Sequence, residues 1–279
     1  EGSGHLYRCS RLSKKLKEKG VVTYFLIDRK MNKKFIFLTK HFKYCVLKKN
    51  FNSEIKFLKS KNINSIIIDN PKVTPQKQKK YKTYLKKLFI YQDIPTKNFA
   101  DIIINHNYIK NSKNIYEKKS KKDCKFFLGP KFYLMEKCKC YNYKKKIISI
   151  FLGGNTPKIL LEKILKILVS LNLKNFRIIV FTGVFNKDLL FLKKRYSQID
   201  LKFKTQENYK KFFKIVSVSK FFFTSGGSTI IESIFLKTPA IAFLRAKNQL
   251  NNCLNFSKEK LIFFGGKKID KNRIIYFMN

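Results

Sequence analysis

Hydrophobic and polar positions along the chain alternate between two periods. An opening stretch places Leu6, Cys9, Leu12 and Leu16 on one helical face, and strand-like runs follow at Val21 to Ile27, Ser65 to Asp69, Leu88 to Tyr91 and Asp101 to Asn105. Short apolar runs separated by helical patterns predict parallel α/β units, because a crossover must return the chain to the same end of the sheet. Each run ends in a polar residue. In open parallel sheets the carboxyl ends of the strands form the ligand-binding edge, which makes Asp69 and Asp93 candidate substrate contacts. Capping of the next helix is the other reading of both.

Lysine-rich sequence from Lys110 to Lys122 reads as a surface excursion, and Glu136 to Lys146 as a linker between two domains, residues 1–140 and 141–279. The second block opens with a buried-strand run, Lys146 to Leu152, closed by Gly153-Gly154-Asn155. Thr156 then reads as a helix N-cap and Pro157 as its first-turn proline. Further strands are expected at Arg177 to Thr182, Asp200 to Lys204, Lys220 to Thr224 and Ala240 to Leu244. No internal repeat is visible.

With 279 residues, 44% hydrophobic and 15% aromatic, the chain can build packed cores for two domains. A formal net charge of +45, from 62 Lys plus Arg against 17 Asp plus Glu, raises nucleic acid or an anionic membrane as partner. The lysines are spread over every segment, however, and accompany abundant Asn, Ile and Phe with no Trp, as expected of an AT-rich coding sequence and a solvated surface. No specific nucleic-acid partner is expected, although anionic small substrates would still be drawn in. The six cysteines, Cys9, Cys45, Cys124, Cys138, Cys140 and Cys253, form no disulfide or metal framework, so free thiols in a reducing compartment, by default the cytoplasm, are expected. No apolar run reaches the ~18 residues that span a bilayer.

Two glycine-bearing segments carry chemistry. Gly2-Ser3-Gly4-His5, with Arg8 and Cys9 just beyond, reads as a tight turn that delivers a histidine to a helix start, where an anion is favoured and the imidazole can take a proton from water. A histidine that only caps the helix is the plain reading. In the second segment, the run Phe221 to Thr224 leads through Ser225, Gly226 and Gly227 to Ser228 and Thr229 and a helix, a phosphate cradle of N–H groups and hydroxyl donors. Glu232 falls a turn further in, where a carboxylate can accept from ribose hydroxyls; the alternative is a strand–helix turn with a solvent-facing Glu. Gly153 and Gly154 supply an opposing wall. Asn248 and Gln249 reach the same cleft, unless Asn248 caps a helix.

Taken in order, these stretches carry a resemblance. Gly2-Ser3-Gly4-His5 with Arg8-Cys9, Leu128-Gly129-Pro130-Lys131-Phe132-Tyr133-Leu134, Ile150 to Asn155, Ser225 to Thr229 with Glu232, and Asn248-Gln249 resemble the UDP-2,4-diacetamido-2,4,6-trideoxy-β-L-altropyranose hydrolases of the pseudaminic acid pathway and their relatives in spore-coat polysaccharide synthesis. The resemblance implies two Rossmann-like domains of glycosyltransferase-B architecture, UDP on the C-terminal domain, the sugar in the interdomain cleft, and neither metal nor cofactor. The implied reaction is hydrolysis of a UDP-linked amino-deoxy sugar at its anomeric carbon, with inversion and release of UDP, by a monomer. By the same resemblance His5 stands at the water-activating histidine. Ser225, Gly226, Gly227, Ser228, Thr229 and Glu232 hold UDP, and Asn248 and Gln249 meet sugar or phosphates. Gly4, Arg8, Gly153 and Gly154 line the substrate, with Asp69, Asp93 and Tyr133 on the sugar side.

The departures from that pattern lie on the sugar side. Asn70-Pro71 stand where relatives carry a tyrosine, and Asp93 alone remains of two adjacent acids, which leaves the identity of the sugar open. The family's first strand is not in this chain, so a gap in the N-terminal sheet is expected, with low stability unless residues upstream of Glu1 are present. Two rival readings stand beside the hydrolase: a glycosyltransferase of the same fold with another acceptor, and a basic nucleic-acid-binding protein. The latter has no use for glycine loops at strand ends.

Overall fold

The computed structural model describes residues 4–27, 42–47, 50–136, 138–173, 175–183, 191–205 and 209–279. Contacts divide them into two α/β units, residues 4–106 with 111–134, and residues 107–110 with 135–279.

In the first unit, α1 (Gly4–Lys17) precedes β1 (Tyr24–Ile27) and β2 (Lys43–Val46), which pair in parallel. Helix α2 (Phe51–Ser60) starts at Asn50, whose side chain accepts from the Asn52 N–H. It leads to a second parallel sheet of β3 (Ser65–Ile68), β4 (Lys87–Tyr91), β5 (Ile102–Asn105) and β6 (Lys125–Leu128), in that order. The crossovers carry α3 (Pro75–Lys82), with Thr74 as its cap and Pro75 at its start, and α4 (Ser112–Glu117). Leu58, Ile68, Leu88, Ile90 and Ile103 pack as the core beneath them. Among the described residues no ladder joins β1 or β2 to β3.

The second unit is a six-stranded parallel sheet in the order β12-β11-β10-β7-β8-β9. Its strands are β7 (Lys145–Phe151), β8 (Arg177–Thr182), β9 (Asp200–Thr205), β10 (Ser219–Ser225), β11 (Ala240–Phe243) and β12 (Phe263–Gly266). Around it lie α5 (Lys158–Ser170), α6 (Phe191–Arg195), α7 (Tyr209–Val218), α8 (Thr229–Phe235), α9 (Leu250–Lys258) and α10 (Lys271–Met278). Burial of Ile148, Ile150, Phe223 and Ile241 on one face and of Phe151, Phe222 and Ala242 on the other explains why these strands read as continuous apolar runs. The chain order reverses between β7 and β10, so their following loops part in opposite directions and leave a crevice at the carboxyl edge.

Four local expectations are corrected. The stretch Lys110 to Lys122 is no bare excursion: it contains α4, whose fully buried Tyr116 bonds Asn105 Nδ2 at 2.8 Å and donates to the Gln92 carbonyl. Thr156 does not cap α5; its hydroxyl donates to Gly153 O at 3.1 Å, and Pro157 stands at the N-cap. Asn248 caps no helix either, lying in a short 3-10 turn (Lys247–Gln249) ahead of α9. On α1 the buried positions are Leu6, Ser10, Arg11 and Ser13, not the Cys9, Leu12 and Leu16 stripe. Small serines allow close approach there, and Arg11 Nη1 donates to the Tyr133 hydroxyl at 2.5 Å.

Asp101 ties this unit together. Its carboxylate accepts from the Leu88 N–H at 2.7 Å, Lys82 Nζ at 2.7 Å and Lys121 Nζ at 2.5 Å. Burial opposes its ionisation, yet the two lysines and the amide hold its pKa down to about 2. A depressed carboxylate pKa stabilises the fold above the unfolded value of ~3.9 and loses that contribution as pH falls toward the folded value. Asp101→Asn is therefore expected to lower the urea midpoint at neutral pH and to flatten its decline between pH ~4 and ~2. Parallel wild-type and variant curves would contradict this.

Candidate active site

The carboxyl edge of the N-terminal sheet gathers the titratable groups. Gly2 and Ser3 lie outside the described residues; Gly4 and His5 form the first turn of α1, so His5 is a helical residue and not part of a preceding loop. Its Nδ1–H donates to Asp69 Oδ1 at 2.6 Å. Asp69 directly follows β3, and its side chain is only 4% exposed. Arg8, one turn along the same helix face, donates from Nε to Asp69 Oδ2 at 2.6 Å and from Nη2 to Oδ1 at 2.5 Å. Its Nη1 reaches Asp93 Oδ1 at 2.8 Å, and its guanidinium lies 4.7 Å from the centre of the Tyr91 ring. Cys9 Sγ completes the set at 3.4 Å from Asp69 Oδ2.

These contacts set the charges. Burial disfavours the Asp69 anion, but the bonds from Arg8 and His5 outweigh it and hold the carboxyl below its usual range. The same bond raises His5 above the ordinary histidine value. With Nδ1 committed to Asp69, Nε2 is the nitrogen that gains and loses the proton, on a side chain that keeps 27% exposure. Burial pushes the Cys9 thiol and the Tyr91 hydroxyl up, so both stay neutral.

His106 is the residue that sequence reading missed here. It follows β5 on the same edge, is 6% exposed, and packs edge-on against Tyr133 at 5.1 Å. Burial, and then the charge of Arg8, pull its pKa down to about 4. Its position one residue past a strand end, like that of Asp69, was the available signal. The edge thus carries two histidines shifted in opposite directions.

In the C-terminal unit, the β7–β10 crevice brings together Gly153, Gly154 and Ser225–Thr229, since Thr224 pairs with Phe151 in register. Gly226 is needed for space: a Cβ there would strike Cys253 Sγ and come within 2.9 Å of Gln249 Cβ. Its N–H is taken by Phe243 O, so it contributes room and not a donor. The Thr229 hydroxyl turns inward onto Thr224 Oγ1 at 2.7 Å, whereas the Ser228 side chain makes no cap hydrogen bond. Glu232 is 2% exposed, which excludes the solvent-facing alternative. Gln249 accepts from the Arg245 N–H at 3.1 Å, while Asn248 is exposed. Among the described residues no group of three or more His, Cys, Asp or Glu is placed to hold a metal ion.

No protein-family model matches the chain. An uncharacterized protein of Methanocaldococcus jannaschii, MJ1062, is 28% identical over 268 residues, 89% of this chain and 54% of its own, so the chain spans about half the length of the curated relative it matches. Among solved structures, Acinetobacter baumannii MurG aligns with a TM-score of 0.67 at 11% identity, over 100% of this chain and 89% of that one. A UDP-GlcNAc 2-epimerase from Neisseria meningitidis, bound to UDP-GlcNAc, aligns with a TM-score of 0.60 at 12% identity, over 96% and 86%. These likenesses fix the fold class: an α/β chain of two Rossmann-like units, of the glycosyltransferase-B kind. No described helix is long and apolar enough to cross a membrane.

Asp69→Asn tests the His5 assignment. Loss of the carboxylate removes what raises the imidazole, so NMR titration should show His5 protonating at lower pH in the variant than in wild type, with His106 neutral above pH ~6 in both. An unchanged His5 midpoint would remove Asp69 from this role.

Proposed function

We propose that this protein hydrolyses a UDP-linked amino-deoxy sugar at its anomeric carbon, with inversion, releasing UDP and the free sugar. The observation that carries this reading is the His5–Asp69 pair, 2.6 Å apart and clamped by Arg8. Asp69 fixes the tautomer, so His5 Nε2 receives the proton of water as its oxygen attacks the anomeric carbon. The bond from that carbon to the diphosphate oxygen breaks, and its electron pair leaves with UDP. Arg8, Asp93 and Tyr133 belong to the sugar side, and His106 offers a neutral hydrogen-bonding group beside them.

The C-terminal unit is assigned the nucleotide. Ser225, Gly227, Ser228 and Gln249 surround the crevice with polar groups suited to a diphosphate, whose developing charge must be stabilised for the bond to break. Two further supports are the ordered motif resemblance and the UDP-GlcNAc carried by the Neisseria meningitidis epimerase of like fold. Transfer to an acceptor other than water would use the same base.

Incubation with a panel of UDP-sugars should release UDP and free sugar in equal amounts with no acceptor present. His5→Ala should lower kcat by about 10²- to 10⁴-fold while leaving UDP affinity within about twofold. Because neutral His5 is the active form and its pKa is raised, the wild-type rate should climb with pH through a midpoint above 6.5. UDP release that appears only on addition of an acceptor would replace the hydrolase by the transferase.

A further inference from the structure

We propose that Arg245 is the cation of a diphosphate-binding site in the C-terminal unit and makes that unit select diphosphate over monophosphate ligands. The proposal rests on the nucleotide reading above and names a residue which that reading does not contain.

Arg245 lies two residues past β11, on the carboxyl edge. Its Nη1 donates to the Leu152 carbonyl, which holds the guanidinium over the glycine turn. Gly153 makes that possible. Its φ is +97°, a region that favours glycine, and a Cβ there would stand 2.7 Å from Arg245 Nη1 and 3.9 Å from Ser225 Oγ. At Gly227, on the other side of Ser225, a Cβ would lie 3.6 Å from Gln249 Nε2 and 4.0 Å from Ser225 Oγ. The Ser225 hydroxyl thus stands between two glycine backbones, one facing the Arg245 guanidinium and the other the Gln249 amide. Two linked phosphoryl groups can offer an oxygen to each of these donors, a single one to only one of them.

The charge is also unspent. Arg8, Arg177 and Arg195 each bond a carboxylate, at 2.5, 2.6 and 3.2 Å. Arg245 and Arg273 have no such partner among the described residues, and of the two it is Arg245 that faces the Gly153 turn. Burial pulls its pKa below the ordinary arginine value with no anion to push it back. A partly desolvated guanidinium presenting a planar fork is suited to bidentate phosphate recognition.

Calorimetric titration of the full chain with UDP, UMP and inorganic pyrophosphate tests this. Wild type should bind UDP roughly 10- to 100-fold tighter than UMP, and Arg245→Gln should lose about that factor for UDP and pyrophosphate while UMP affinity barely moves. Gly153→Ala, which displaces the guanidinium but keeps it, should show the same collapse of preference, and Arg245→Lys should retain part of it. If Arg245 only staples Leu152, Arg245→Gln will lower the melting temperature and leave the UDP-to-UMP ratio intact, which overturns the proposal. Binding of pyrophosphate that depends on Arg245, with neither nucleotide bound, would uphold the anion site and defeat the nucleotide reading. Unaltered UDP binding by Arg245→Gln would do the reverse.

Discussion

Asp69 sits at the tip of β3 and receives the His5 imidazole, two nitrogens of Arg8 and the Cys9 thiol. A carboxylate this deeply buried is tolerable only because it is so fully bonded; stripping a partner from a buried pair typically costs ~3–5 kcal/mol. The position of α1 is therefore dictated from below. Arg8 extends the tie to Asp93, so one helical turn is pinned to the ends of two adjacent strands, β3 and β4. The same bonds orient His5. Mechanical anchoring and proton chemistry are a single arrangement.

Scarcity of acid makes such anchors matter. With 17 Asp plus Glu against 62 Lys plus Arg, there are far too few carboxylates to pair every cation, and several of those few, Glu54, Asp101 and Glu232 among them, are placed inside. Asp101 collects Lys82 and Lys121, and Glu54 collects Lys77 and the Tyr81 hydroxyl. Each joins elements distant in sequence. Losing an acid in this chain removes a cross-link, whereas losing one of its many lysines leaves most of the surface as it was.

The strands that could be read from the sequence are mostly those covered on both sides, such as β7, β8 and β10, where burial demands unbroken apolar runs. β2, β6 and β12 escaped notice. All three are edge strands of four residues, and an edge needs less apolar cover. In Phe263-Phe264-Gly265-Gly266 the glycine pair hides the strand, although Gly265 is there because Phe243 and Ile241 leave no room for a Cβ. Individually, His5, Asp69 and Asp93 stand out at element ends. Their joining through Arg8 does not, because the partners lie 61 and 85 positions apart. Arg245 was invisible for a different reason: in so basic a chain one more arginine carries no signal, and what sets it apart is its place against the Gly153 turn with no carboxylate beside it.

Net charge alone would mislead about the two histidines. A formal +45 should depress every imidazole, and His106 does fall, with buried Arg8 among the causes. His5 rises under the same total field. The difference is range and screening. Solvent-exposed lysines act through water with a screening length of ~8 Å at physiological ionic strength, while Asp69 acts across one desolvated hydrogen bond. The surface lysines can concentrate anions near the protein but cannot choose among them or set a proton's position. Those tasks fall to the few groups removed from water and held at contact distance, which is why the chemistry of so basic a chain turns on its carboxylates.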